Sequence, residues 1–62
     1  MDIQNRLLEQ LKAKLPPETS LGKLLMDDLE LSRDSAYRRA RGETALKPEE
    51  INLLCQKYDL SI

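Results

Sequence analysis

Apolar residues recur at spacings of three and four along most of this chain, and no segment alternates in the period-two manner of a half-buried strand. That pattern commits the backbone to helices. In the first segment Ile3, Leu7, Leu8, Leu11 and Leu15 share a face, Asp2 can cap the start, and Pro16-Pro17 ends it. Proline lacks an amide donor and restricts the residue before it. Leu21, Leu24, Leu25 and Leu29 face inward from a second helix that Thr19 or Ser20 can cap, with Gly22 in its first turn. After "ELS", Ser32 is a fresh cap, Asp34 lies where the helix dipole favours a negative charge, and Gly42 is a C-terminal stop. Pro48 suits the first position of a last helix, Glu49 and Glu50 its positive end, and Lys57 its negative end. Within it Ile51, Leu54, Cys55 and Tyr58 fall at i, i+3, i+4 and i+7. The spacing predicts helices over 2–14, 20–29, 33–41 and 48–58. The expected fold class is all-α, a compact bundle of four or five short helices with short connections.

The core of such a bundle has to be aliphatic. A single domain of 62 residues buries only about 60% of the surface its unfolded chain exposes, so it needs close packing, a partner, or both. The one cysteine forms no internal disulfide, and with no histidine no Cys/His cluster can hold zinc; neither metal nor cofactor is expected. Leucine dominates, and Phe and Trp are absent. Leu25, Leu29, Leu31, Ala36, Leu54 and Tyr58 are the expected core, with Cys55 a small core residue in place of a reactive thiol. No apolar run approaches the roughly 20 residues of a membrane span. The start "MDIQNRLLEQ" lacks the basic and apolar stretches of a signal peptide, so a cytoplasmic home is expected.

Charge is distributed unevenly. The formal net charge is −1, yet residues 1–17 sum to +1, 18–31 to −3, 32–47 to +3 and 48–62 to −2. The stretch "SRDSAYRRARGE" holds Arg33, Arg38, Arg39 and Arg41. On a helical wheel Ala36 and Ala40 share a face, Asp34, Arg38 and Arg41 form a stripe opposite, and Tyr37 and Arg39 flank the inner face. An alanine face lets a helix approach its neighbour closely, and a face of arginine and small polar groups can enter a DNA major groove. The link to the preceding helix, about three residues, has helix-turn-helix spacing. DNA binding needs local positive charge more than a basic total, because neutralising nearby phosphates supplies the energy.

At these residues the chain resembles a known family. "LLMDDLELSRDSAYRRARGE" followed by "LKPEEINLLCQKYDLS" is similar to the helix-turn-helix domain of phage repressors and Cro proteins, over about residues 19 to 61 with the motif at 19–42. Leu25-Met26 match the apolar pair of the first motif helix, Leu31 the aliphatic after the turn, and Ser32 the start of the recognition helix. Ala36 matches its buried small residue, Gly42 its closing glycine, and Tyr58-Asp59-Leu60-Ser61 the end of the last helix. "DSAYRRARGE" more narrowly resembles N-terminal domains of Bacteroidetes transcriptional regulators. Three residues depart from the pattern. Glu30 replaces the turn glycine, which implies a strained or reshaped turn. Met26 replaces an alanine and is expected to push the helices apart. Arg39 stands where an aliphatic is frequent, with Ala40 expected to take the inward role.

The resemblance implies sequence-specific binding of double-stranded DNA by a transcriptional regulator, with the helix near 33–41 in the major groove. Arg33, Asp34 and Arg38 match positions that reach base edges, and arginine on guanine is the commonest specific contact. Asp34 can accept from cytosine, cap the helix or hold Arg38 through an i, i+4 pair, and the last two are favoured. Arg41 matches a phosphate-contacting position, Lys23 can reach the backbone on the other side, and Thr44 and Lys47 are weaker phosphate candidates. Ser35 and Tyr37 complete the set; Tyr37 either stacks on the DNA backbone or is partly buried against the second helix. The regulator is expected to be longer than this segment and to act as a homodimer, through a region beyond it or a partner subunit.

Other functions fit less well. No catalytic residues are expected: there is no histidine, no glycine-rich phosphate loop and no nucleophile–base pair, and Asp27-Asp28 suit an ordinary exposed helix face. The main alternative is a helical protein-interaction module whose arginine face docks an acidic partner. RNA binding is weaker, since it usually brings exposed aromatics for base stacking. The first helix completes the core more naturally than it forms a dimer surface.

Overall fold

A computed structural model describes residues 3–60. Four α-helices, and no strand among these residues, make up the fold: α1 (Ile3–Lys14), α2 (Leu21–Leu29), α3 (Arg33–Ala40) and α4 (Pro48–Tyr58). The capping role expected of Asp2 lies outside the described residues. Ser20 caps α2, with backbone φ −112° and ψ 161° and its hydroxyl accepting from the Lys23 amide at 3.2 Å. Ser32 caps α3 in the same way, accepting from the Ser35 amide at 3.3 Å. Each cap satisfies one of the amides that a helix start leaves without a partner.

Leu7, Leu8 and Leu11 of α1, Leu21 and Leu25 of α2, Ala36 of α3, Leu46 of the α3–α4 loop and Leu54 of α4 form the buried core. Leu25, Ala36 and Leu54 were expected there. Leu29, Leu31 and Tyr58 are corrections: each is half-buried and packs on the core from outside. They sit at or near helix ends. Tyr58 has a further reason. Its hydroxyl donates to the Asp28 carboxylate, whose other oxygen lies 2.7 Å from Lys57 Nζ. Burial and then the Asp28 bond push the Tyr58 phenol up to about 12. Asp28 is therefore a half-buried tie between α2 and α4, while Asp27 alone stays on the exposed face.

Two helices end on a left-handed acidic residue. Glu30 after α2 has φ 54° and ψ 45°, and Asp59 after α4 has φ 54° and ψ 51°. Glu30 and Leu31 both send their amides to the Met26 carbonyl, so the turn keeps the left-handed geometry that glycine usually supplies. Glu30→Gly should raise stability by about 0.5–1 kcal/mol, as the left-handed strain exceeds glycine's extra unfolded-state entropy. Chemical denaturation measures this directly; a lower midpoint for the glycine variant would mean that the Glu30 side chain has a stabilising role in the turn.

The largest departure concerns Arg39. Its sequence position predicts a place at the flank, with Ala40 inward. Ala40 does pack on the core, half-buried, but Arg39 is buried too, at 7% exposure. Its Nε donates to Glu50 Oε1 at 3.1 Å and its Nη1 to the Ser35 carbonyl at 3.2 Å. Glu50, 9% exposed, also accepts from the Lys47 amide at 2.9 Å, closing the first turn of α4. Glu50 thus caps its own helix and neutralises a cation from α3.

Candidate nucleic-acid interface

The elements that position α3 are α2 and the turn that follows α3. α2 and α3 pack together more extensively than any other pair of helices, joined by Glu30, Leu31 and Ser32. The approach is closest at Gly22, where a Cβ would stand 2.7 Å from two atoms of the Tyr37 ring. Only hydrogen fits there. The Tyr37 hydroxyl lies 3.3 Å from Ser20 Oγ, the same atom that caps α2. Tyr37 is half-buried against the second helix, the second of its two expected settings. Met26 does not wedge the helices apart; it lies half-buried at the edge of the core.

Ala36 and Arg39 face inward, so Arg33, Asp34 and Arg38 are left exposed along the outer side of α3, with Arg41 just past its end. Arg33, Asp34, Tyr37 and Arg41 line one shallow, open depression. The Arg33 guanidinium stands over the Tyr37 ring, 5.4 Å from its centroid, a cation–π arrangement that holds the cation at the rim. Arg38 pairs with Asp34 one turn earlier, Nε to Oδ2 at 3.1 Å. This is the i, i+4 pair that was favoured for Asp34. Ser35 is half-buried and its carbonyl is taken by Arg39.

Arg41 pairs with Glu43 across Gly42. Nε lies 2.7 Å from Oε2 and Nη2 3.3 Å from Oε1. Glu43's hydrogen bond, then its charge, raises Arg41 above its ordinary value, and Arg41 in return holds the Glu43 carboxyl below the usual range. The turn itself is fixed by backbone: Gly42 has φ 81°, its amide reaches the Arg39 carbonyl at 3.1 Å, and the Glu43 amide reaches Arg38 at 2.8 Å. Gln4 of α1 braces the far side. Its Nε2 donates to the carbonyls of Arg39 at 3.2 Å and Thr44 at 3.0 Å, and its Oε1 accepts from the Leu46 amide at 2.9 Å.

The remaining candidates do not line this depression. Lys23 is exposed in the first turn of α2, its backbone linked through the Ser20 hydroxyl to Tyr37. Thr44 is half-buried with its carbonyl committed to Gln4. Lys47 lines a different depression with Asp28, Leu29, Glu30, Glu49, Glu50 and Leu53, among carboxylates. Glu50 cancels the charge of Arg39, so the outer face of α3 and its turn offers three guanidiniums against Asp34 and Glu43, a net of +1. That is smaller than the segment total suggested. Sequence reasoning missed Gln4, Glu43 and Glu50. Of these only Glu50 left a signal: Arg39 is three residues from Ala36, on the inner face, and a buried guanidinium demands a carboxylate.

Among the described residues no group of His, Cys, Asp or Glu side chains is placed to hold a metal ion, and no helix is long and apolar enough to cross a membrane. Comparison with protein-family models, curated proteins and solved structures finds no match.

Proposed function

We propose that the chain binds double-stranded DNA sequence-specifically as part of a transcriptional regulator of the repressor and Cro type, with α2, the three-residue turn and α3 acting as a helix-turn-helix. One observation carries the reading. An eight-residue helix buries an alanine and an arginine neutralised by Glu50 of α4, and it turns Arg33, Asp34 and Arg38 outward, with Arg41 at its end. In this reading α3 enters the major groove. Asp34 holds Arg38 in an i, i+4 ion pair, Nε 3.1 Å from Oδ2, and the terminal amino groups of that guanidinium are the fork that would fit guanine O6 and N7. Arg41, with Lys23 across the groove, contacts phosphate. A face of net +1 neutralises few phosphates, so tight binding calls for two copies on half-sites about 34 Å apart. The compartment is the cytoplasm, where a bacterial regulator meets DNA.

Substitution of the two arginines tests this. Binding to a duplex selected from random sequence should weaken with salt at a log–log slope of about −0.9 per phosphate contact. Arg41→Ala should weaken all duplexes alike and reduce the slope by about one unit. Arg38→Ala should instead cost about 1–3 kcal/mol and relax preference at one base position. Uniformly weak, salt-insensitive binding in every variant, with loss of an acidic protein partner on arginine replacement, would assign the face to protein docking.

A further inference from the structure

The two exposed arginine pairs differ in a way that bears on how the surface meets DNA. Arg38 meets Asp34 as an ion pair, Nε 3.1 Å from Oδ2. Arg41 gives Nε and Nη2 together to the two oxygens of Glu43, at 2.7 and 3.3 Å. That is the two-point geometry with which a guanidinium grips a phosphate. Most exposed pairs gain little, because two long side chains must be ordered to make them. Here much of the ordering is already done by the main chain. The Gly42 and Glu43 amides are tied to the end of α3, and Gln4 braces the carbonyls of Arg39 and Thr44 on either side of the pair.

Resting on the DNA-binding reading above, we infer that Glu43 is an autoinhibitory residue, an internal stand-in for phosphate that occupies Arg41 in the free protein and sets the level of its sequence-independent affinity. A backbone phosphate that reaches Arg41 must displace this carboxylate, and the displaced charge stays beside the phosphate and repels it. Base edges are untouched by either effect. Glu43 therefore lowers affinity for all duplexes by a common factor and leaves base preference to Arg38 and Arg33. The regulation is of the same site, exerted by the turn that follows α3.

The test measures duplex affinity of two linked copies of the 62-residue chain against salt, for an arbitrary and a selected duplex, with Glu43→Gln, Arg41→Ala, the double variant and Glu49→Gln. Glu49 is exposed on α4 and lines the separate acidic depression, so its replacement reports the effect of net charge alone. Glu43→Gln should raise affinity for both duplexes about three- to ten-fold at low salt and steepen the salt slope, with base preference unchanged. The gain should fall below about two-fold in the Arg41→Ala background, where only the repulsion remains, and Glu49→Gln should likewise gain less than about two-fold. A Glu43→Gln gain that survives loss of Arg41 undiminished, or that Glu49→Gln matches, overturns the inference while DNA binding stands. Unchanged affinity in Glu43→Gln together with weakening in Arg41→Ala does the same. If neither the unaltered chain nor any variant binds duplex, the DNA reading falls and the inference with it.

Discussion

Glu50→Ala should destabilise the fold by about 3–5 kcal/mol, the cost of leaving a buried ion unpaired. The removed carboxylate is the acceptor for Arg39 Nε, and with Arg39 only 7% exposed in the intact fold, bulk water is a poor replacement for it. Domains of ordinary stability hold about 5–15 kcal/mol in all, so much of this one would unfold near its growth temperature. A second loss is smaller: the Lys47 amide is left without its acceptor at the start of α4. Glu50→Gln separates the two, because an amide oxygen can still serve Lys47 while the guanidinium loses its counter-charge. It should remain close to the alanine variant. The pair is not irreplaceable, however. Arg39→Met with Glu50→Leu removes both charges together and should recover most of the stability, since apolar isosteres often match a buried pair. Urea unfolding followed by circular dichroism measures all four proteins. A Glu50→Ala loss under about 1 kcal/mol would mean the pair behaves as a solvated surface bridge.

Leu25→Ala should cost about 2–5 kcal/mol. Leu25 is fully buried in a core made almost wholly of leucine, with no disulfide or metal site among the described residues to share the load. A shortened side chain leaves a void that the helices can only partly close. For a domain of this size each kcal/mol lowers the melting temperature by roughly 4–8 °C. Leu53→Ala is the contrasting variant. Leu53 is 42% exposed on α4, and its truncation should stay within about 1 kcal/mol. Equal losses at the two positions would show that α4 buries Leu53 against something further, and that the core is not centred on Leu25.

The helices were legible because the punctuation is strong. Pro16-Pro17, Ser20, Ser32, Gly42 and Pro48 each mark a boundary for a physical reason, and α1 to α4 begin and end within a residue or so of the expected positions. The core was legible where a leucine sits mid-helix, as at Leu25 and Leu54. Leu46 was not, because it stands alone in a loop with no periodic neighbours to assign it a side. Arg39 was misplaced for a different reason. Its charge argued for the surface, while its spacing from Ala36 argued for the interior, and the deciding partner lies on another helix. On the outer face of α3, Asp34 with Arg38 could be read from i, i+4 spacing. Arg41 with Glu43 could not, since residues two apart do not meet on a helix, and here the chain leaves α3 through the left-handed Gly42 between them. Gln4 acts on the loop after α3 across most of the chain's length, and nothing local to α1 announces that role.

The contact between Gly22 and the Tyr37 ring also limits how this chain can drift in evolution. A methyl group at position 22 has no room while tyrosine occupies 37, and a smaller residue at 37 leaves a gap beside the glycine. The two sites can exchange volume but cannot vary singly without cost. They amount to one heritable unit spread over two helices. The orientation of α3 on α2 is transmitted with that unit, whatever happens to the arginines on the outer face.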